Sequence, residues 1–251
     1  MLVGMYKEFH LHSALRPFVE CAWVLRSNPD GVRETRRILP DGCTDLVVTL
    51  GQSVDVFGPK NSFHLVSNRQ NFVGFRLRLG FAQAVMAVAP EEITGRSAPL
   101  EAIWGSSACG LEQHLLAAER PEAAIPILEK ALLRRAANAP EPDRVVLTAV
   151  DRLRRFPNTR VNQLAAVLEL SERQFRRRFQ HHVGLSVKQL ARVTRFQRLV
   201  DDLRAHWQHS TGSWVGWAGL AHDHGYADQA HLVRECRNIA GVTPARLLMN
   251  F

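Results

Sequence analysis

The sequence has few cysteines, and they are not arranged to bind metal. Its 251 residues include Cys21, Cys43, Cys109 and Cys236, which are widely spaced and form no Cys-x-x-Cys pair. This spacing argues against a structural zinc site and against a disulfide framework. We therefore predict no metal site, no disulfides and a reducing, cytoplasmic location.

Long apolar runs and a basic leader are also missing. No stretch approaches the ~18 apolar residues that a membrane span requires. Met1 to Met5 include no basic residue and are soon followed by Lys7 and Glu8, so we expect neither a signal peptide nor a membrane partner. With 46% apolar and 22% charged residues, the composition is typical of a soluble globular protein long enough for two domains.

Net charge is absent from the first part of the chain. Residues 1–150 contain 16 Lys and Arg against 16 Asp and Glu, whereas residues 151–251 contain 16 against 8, which accounts for the whole net charge of +8. A basic module joined to a neutral one is typical of nucleic-acid-binding proteins. A small polar segment with two prolines, Ala136 to Arg144, predicts the join. We divide the chain into an N-terminal domain, residues 1–138, and a C-terminal domain, residues 139–251.

The C-terminal domain contains one helical pattern twice. Leu164-Ala165 align with Leu220-Ala221 at an offset of 56 residues, and one inserted residue then changes the offset to 57. Both copies have a short helix, a tight turn, a second helix, a glycine and a Ser or Thr in the same order, which indicates a repeated supersecondary unit. Further aligned pairs are Leu170 with Tyr226, Phe175 with Leu232, Phe179 with Cys236, Gly184 with Gly241, Ser186 with Thr243 and Leu190 with Leu247.

The second helix of each copy is predicted to bury one apolar seam and to expose a polar face. Ser171 and Asp228 are expected to cap these helices, and Phe175 and Leu232 lie in their apolar seams. Guanidinium and amide groups on such a face fit a major groove, where Arg pairs with guanine and Gln with adenine. The first face carries Arg173, Gln174, Arg176, Arg177 and Arg178, and the second carries Gln229, His231, Val233, Arg234 and Arg237.

A continuous helix is predicted between the two copies, from Ser186 to about Trp207. About 20 residues give a helix of roughly 30 Å, close to the ~34 Å between adjacent major-groove faces of B-DNA. Two DNA-binding units in tandem at this separation predict an asymmetric DNA site made of two neighbouring major-groove segments. Apolar residues recur at steps of three and four: Leu190, Val193, Phe196, Val200 and Leu203.

Residues 161–247 combine Leu164-Ala165, Ser171, Phe175, Arg177, Phe179, Gly184, Leu220-Ala221, Gly225-Tyr226, His231-Leu232, Arg234 and Gly241-Val242-Thr243-Pro244. This combination resembles the DNA-binding domain of the AraC/XylS family of bacterial transcription regulators. The resemblance implies an all-α domain of two helix-turn-helix units joined by a long helix. It also implies base contacts by Arg173, Arg176 and Arg177 in the first copy and by Gln229, His231, Val233 and Arg234 in the second, to which the exposed face adds Gln174.

Two positions depart from the family pattern. Glu169 stands in the first turn where the family usually has glycine, and Cys236 replaces the usual phenylalanine. A positive φ at Glu169 would be strained, so we expect that turn to be reshaped. Neither departure removes a group that faces DNA.

The N-terminal domain is rich in short apolar segments separated by Gly, Pro and Asn. These predict a small antiparallel β-barrel or half-barrel with helices, so the whole chain falls in the α+β class. Strands are predicted at 21–25, 36–39, 45–50, 54–57, 63–66 and 72–79, and helices at 81–89, 101–104, 111–118 and 121–137.

The segments around Asp41, Arg76 and Trp104 resemble a sensor-like domain that precedes this DNA-binding module in many regulators. Family analogy implies that this half binds an effector, forms a dimer, or both. Trp23, Asp41, Asp45 and Arg76 are the candidate ligand-binding residues. A turn aspartate, surface ion pairs and a core tryptophan explain the same residues, so that alternative stays open.

The sequence therefore predicts a DNA-binding transcription regulator, not an enzyme, without a cofactor and modulated by a small-molecule effector. Its expected partners are double-stranded promoter DNA, RNA polymerase if it activates, and a second copy in a homodimer. A cupin-like metalloenzyme with a DNA-binding tail is an alternative suggested by His10 and His12, but the Glu and third His do not follow at the required spacing. A DNA-repair regulator is another, but it requires clustered cysteines near the N-terminus.

Overall fold

The computed structural model describes residues 6–28, 35–209 and 216–248. Two layers form the N-terminal domain, a set of strands and a set of helices packed on one face of them. Its strands are β1 (Tyr6–Phe9), β2 (Val19–Leu25), β3 (Thr35–Ile38), β4 (Thr44–Thr49), β5 (Ser53–Phe57), β6 (His64–Ser67), β7 (Phe72–Leu77) and β8 (Ser97–Pro99). Its helices are α1 (Ala82–Met86), α2 (Leu100–Trp104), α3 (Ser106–Leu116) and α4 (Pro121–Ala136).

Six strands form one antiparallel sheet in the order β1-β2-β7-β4-β5-β8, and β3 pairs with β6 in a separate ribbon. Side chains alternate between the two faces of a strand. Leu46 and Phe75 therefore enter the main core beneath helix α4, whereas Val47 and Phe72 pack on the opposite face. This arrangement confirms the predicted antiparallel β-structure with helices. The short edge strands β1 and β8 were not predicted.

The C-terminal domain is entirely helical in the residues that the structure describes. The proposed boundary at 138/139 falls between α4 and α5, whose first turn is capped by Asp143 through Val145 N at 3.0 Å and Val146 N at 3.1 Å. The helices are α5 (Arg144–Arg155), α6 (Val161–Val167), α7 (Glu172–Val183), α8 (Val187–His209), α9 (Gly216–Asp223), α10 (Gln229–Ala240) and α11 (Pro244–Leu248).

Each helix-turn-helix unit has its own core, and the N-terminal domain contributes to both. Phe175 and Phe179 are fully buried in the core of the first unit, which also includes Cys43. The core of the second unit is built around Phe196, and Leu39 packs against it. The segment 39–43 thus lies between the two units, on the long helix α8 that joins them.

Candidate nucleic-acid interface

The two units repeat the same backbone hydrogen bonds at their tight turns. In the first, Leu170 N donates to Ala165 O over 3.0 Å. In the second, Tyr226 N donates to Ala221 O over 2.8 Å. These four residues are the pairs aligned in the sequence, so the predicted repeat is also a repeat of backbone geometry.

Equivalent side-chain caps begin the two recognition helices, α7 and α10. Ser171 Oγ accepts from Gln174 N at 3.3 Å, and Asp228 Oδ1 accepts from His231 N at 2.6 Å. Each cap satisfies one of the free N–H groups at a helix start. Both predicted caps are confirmed, and each orients the first turn of its helix after the tight turn.

The first turn is not reshaped, contrary to the expectation from Glu169. Glu169 has a φ of 54°, where its aligned residue Gly225 has a φ of 70°. The hydrogen bonds of the repeated turn hold the backbone in this conformation. An L-residue other than glycine in the left-handed region costs roughly 1–2 kcal/mol, so the first unit contains local strain that the second does not.

Replacing Glu169 with glycine should therefore stabilise the protein. We expect a gain in the free energy of unfolding of about 1 kcal/mol, because the relieved strain exceeds the extra flexibility of glycine in the unfolded chain. Urea unfolding followed by circular dichroism measures this gain. Glu169→Ala is the control, since it removes the carboxylate and keeps the strain; equal stabilisation by both variants would contradict the backbone explanation.

Two arginines of the first recognition helix point freely into solvent. Arg173 and Arg177 are exposed, and neither has a hydrogen bond or ion pair with the part of the chain that the structure describes. Arg178, also on the polar face, instead forms an ion pair with Asp143 at the start of α5. Arg178 therefore ties the recognition helix to its own domain, while Arg173 and Arg177 remain available for DNA.

The other two predicted contacts of this helix are engaged within it. Gln174 Oε1 accepts from Ser171 N at 3.2 Å, which completes a reciprocal capping box. Arg176 pairs with Glu172 at 2.6 Å, four residues earlier. Both side chains are exposed, and an exposed ion pair contributes only about 0–1 kcal/mol. Rearrangement toward a phosphate or base is therefore inexpensive for Arg176.

The second recognition helix presents a mixed surface. Gln229 and Arg234 are exposed, and Val233 is half-buried. His231 Nδ1 accepts from Ala227 N at 3.2 Å, so one ring nitrogen already supports the preceding turn. His231 therefore has a structural role in addition to its predicted contact with DNA.

A cleft of about 870 Å³ lies between the two units and is lined by residues of both. Its basic side chains include Arg160 and Lys188, which belong to segments outside the recognition helices and were not predicted as contacts. In its wall, Arg195 donates to Gly225 O at 3.3 Å and lies 4.8 Å from the centre of the Tyr226 ring. Basic groups between two groove-reading helices suit the phosphate backbone that separates the two grooves.

The four candidate ligand-binding residues meet on the face of the six-stranded sheet that lies opposite the main core. Trp23 Nε1 donates to Asp45 Oδ1 at 2.9 Å. Arg76 Nε lies 2.7 Å from Asp41 Oδ2 and 3.7 Å from Asp45 Oδ1. Burial raises the pKa of Asp45 to about 6, although the Arg76 charge opposes the shift. Burial acts to lower the pKa of Arg76, but Asp45 and Asp41 outweigh it and keep the guanidinium charged.

Apolar side chains surround this polar cluster. The Tyr6 ring stacks on Trp23 with the ring centres 6.2 Å apart. Gly74, opposite Trp23 on β7, leaves room for the indole, because a Cβ there would overlap it. This face of the sheet is therefore amphipathic, with aromatic and aliphatic groups beside an arginine that is paired with two carboxylates. The remaining apolar neighbours are Leu25, Ile38, Val47, Phe57, Val66 and Phe72.

His12, one of the two histidines singled out in the sequence, has another role. His12 Nδ1 accepts from Ala14 N at 3.2 Å and caps a short 3-10 turn. Across residues 6–28, 35–209 and 216–248, no three His, Cys, Asp or Glu side chains form a group that could hold a metal ion. Among the helices described, none combines the length and apolarity needed to cross a membrane.

Two family models match the sequence. One, described as a helix-turn-helix domain, matches residues 164–250. The other, described as a domain of unknown function (DUF6597), matches residues 7–99. One match falls within each of the two domains predicted from charge and periodicity, and the helix-turn-helix match contains both recognition helices. A search of curated proteins finds no match.

Solved structures of similar arrangement include ToxT from Vibrio cholerae. One crystal form is 10% identical, with a TM-score of 0.44 over 98% of each chain. A point variant of ToxT in its apo form is 12% identical, with a TM-score of 0.43 over 97% of this chain and 95% of ToxT. ToxT bound to an unsaturated fatty acid is 10% identical, with a TM-score of 0.42 over 98% of this chain and 94% of ToxT.

Proposed function

We propose that this chain, whose residues 164–250 are a helix-turn-helix domain of the AraC type, regulates transcription by binding an asymmetric promoter site. The observation that carries the proposal is the repeated unit, with the same turn hydrogen bonds at Leu170 and Tyr226. Two recognition helices in tandem on one chain, joined by α8, can enter two successive major-groove segments of one duplex.

The base contacts divide by chemistry. Arg173 and Arg177 are suited to guanine, because a guanidinium can bind O6 and N7 together. Gln229 is suited to adenine, and Val233 to the methyl group of thymine. We assign the same reading surface to Gln174, Arg176, His231 and Arg234. Arg160 and Lys188 in the cleft are assigned to the intervening phosphates.

The half-barrel is the proposed site of a small-molecule effector. Trp23, Asp41, Asp45 and Arg76 form one connected polar group beside an apolar surface, and binding sites typically combine a few convergent polar groups with apolar walls. An amphipathic molecule fits this chemistry. The family resemblance further supports a homodimer and, at activated promoters, contact with RNA polymerase.

A non-enzymatic role is part of the proposal. The cupin-like alternative predicts stoichiometric iron, manganese or zinc in the purified protein. The position of His12 in a capping hydrogen bond favours the regulator. Metal analysis of the purified full-length chain decides between the two, since a stoichiometric metal ion would favour the enzyme.

Selection of binding sites from a random duplex pool tests the proposed function. A salt concentration of about 0.15 M weakens binding that depends on phosphate charge alone. Under this condition the full-length protein should still select a defined sequence motif. We expect two short, different sequence blocks about 10 base pairs apart, centre to centre. A palindromic motif would contradict the tandem arrangement, and binding without any sequence preference would contradict the regulator itself.

A further inference from the structure

The N-terminal domain contacts the two recognition helices at equivalent positions. Gly184, with a φ of 79°, caps the C-terminal end of helix α7, and Gly241, with a φ of 69°, caps that of helix α10. These glycines are partners in the sequence repeat. Both are touched by one small part of the N-terminal domain, the segments 58–63 and 90–96, which we name the clamp.

The clamp holds the end of the first recognition helix through a hydrogen bond and close packing. Thr94 Oγ1 lies 2.8 Å from Gly184 O and 2.9 Å from Pro90 O, so its single hydroxyl hydrogen is shared between the end of α7 and the clamp. The backbone of Gly184 lies so close to the Pro59 ring that a side chain there would overlap it. Beside this contact, Glu91 Oε1 lies 2.5 Å from His181 Nδ1. The last turn of α7 is therefore fixed by three neighbouring residues of the clamp.

The clamp holds the end of the second recognition helix in a different way. Phe63 N donates to Ile239 O at 2.7 Å, which satisfies one of the free carbonyls at a helix end. The Phe63 ring covers Gly241, where a Cβ would overlap it. Arg37 lies 4.7 Å from the centre of the same ring and restricts its position. Both ends thus depend on glycine for their fit to the clamp.

Two backbone hydrogen bonds join the two segments of the clamp. Gly58 N donates to Arg96 O at 2.9 Å, and Gly95 N donates to Pro59 O at 3.0 Å. Gly58 is buried against the Ile93 backbone with no space for a side chain. A displacement of Thr94 would therefore move the loop that carries Phe63, so the two contacts cannot shift independently.

We propose that the clamp sets the separation of the two recognition helices and thereby the base-pair spacing that the protein accepts, with Phe63 and Thr94 as positioning residues. This inference rests on the proposed function. Helix α8 alone can bend and twist, so a single connection leaves the two units some freedom to move. The clamp is a second connection, between the C-terminal ends of α7 and α10, and it restricts that movement. With the two recognition helices held at a fixed separation, the protein binds the two sequence blocks of its DNA site well at one spacing and poorly at others.

Affinity measured on duplexes of different spacing tests this role. The selected motif is made with its two blocks at the preferred spacing and with one base pair added or removed. We expect the full-length wild-type protein to discriminate between spacings by about 30-fold, and Phe63→Ala with Thr94→Val to reduce that ratio about tenfold, as for a coupling between two sites. Affinity at the preferred spacing should change much less than the ratio.

Matched variants separate positioning from general damage. Leu65→Ala removes an exposed side chain two residues after Phe63. Thr148→Val removes a similar hydroxyl-to-carbonyl bond, from Thr148 to Arg144 O, away from the clamp. Both should keep the wild-type ratio. Thr94→Val alone keeps the side-chain volume, so a reduced ratio for this variant supports the proposal even if the double variant does not fold.

The proposal is wrong if the folded double variant Phe63→Ala/Thr94→Val has the wild-type ratio of affinities between spacings. If the double variant does not fold, the same result in Thr94→Val would overturn the proposal. That result leaves the proposed function intact, because the wild-type protein would still bind its motif. Failure of the proposed function has a different signature, since the wild-type protein would then show no sequence preference at any spacing.

Discussion

Replacing Arg177 or Arg234 with alanine should weaken binding to the selected site about 10- to 100-fold, or about 1–3 kcal/mol, and relax the base preference at one position. Both side chains are exposed and have no partner in the part of the chain that the structure describes. Neither side chain must break an internal ion pair to reach a base. Replacement by alanine therefore removes the whole binding free energy of the contact with that base. Titration of specific and random duplexes at one salt concentration measures the two affinities.

Arg144→Ala is the matched control for charge. Arg144 is exposed and forms only a surface pair with Glu141 at 3.4 Å, at the start of α5 and outside the recognition helices. Its loss should weaken specific and random DNA binding alike and slightly. If Arg177→Ala and Arg234→Ala also weaken both kinds of DNA equally, these arginines contact phosphates and the base-reading assignment is wrong.

Replacing Arg76 with methionine should destabilise the protein by about 3–5 kcal/mol near pH 8, because it leaves carboxylates partly buried without their cation. Asp41 and Asp45 both face the guanidinium at 2.7 Å and 3.7 Å. Urea unfolding measures the loss. Arg78→Met is the matched control on the same segment; Arg78 donates to Arg16 O at 2.6 Å in a solvent-exposed hydrogen bond, so about 1 kcal/mol is expected there.

The loss in Arg76→Met should shrink on acidification. The pKa of Asp45 is already raised in the folded state, to about 6, so its charged form costs stability, and that cost appears as pH rises from about 4 toward 6. Without Arg76 the folded pKa rises further, and protonation at pH 5 relieves the unpaired charge. A loss below 1 kcal/mol at both pH 5 and pH 8 would show that the cluster behaves as a surface ion pair.

The two helix-turn-helix units could be predicted largely from sequence, because the patterns that indicate them involve residues close together in the chain. Helical periodicity, the caps at Ser171 and Asp228, and the aligned glycines determined the repeat. The internal engagement of Gln174 and Arg176 also had a local signal, a Ser-x-x-Gln capping box and a Glu172 four residues before Arg176. The pairing of Arg178 had none, because its partner lies 35 residues away.

The N-terminal domain was less predictable because its contacts depend on strand order. Alternation found most strands, but the order β2-β7-β4 is needed to place Trp23, Arg76 and Asp45 side by side. The edge strands β1 and β8 are too short to show a pattern. Contacts of the clamp join Thr94 to Gly184, 90 residues apart, and no periodicity carries information about such a pair.

We expect the segment 39–43 to couple the unfolding of the two domains. Cys43 completes the core of the first helix-turn-helix unit, and Leu39 covers the core of the second. Pro40 O also accepts from Gln197 in the middle of α8. Cleavage of the chain at the proposed boundary would therefore not divide its stability between two independent parts. Each domain would lose buried contacts supplied by the other, so heat or denaturant should unfold both together. A substitution that destabilises the N-terminal domain should therefore also destabilise the helices that bind DNA.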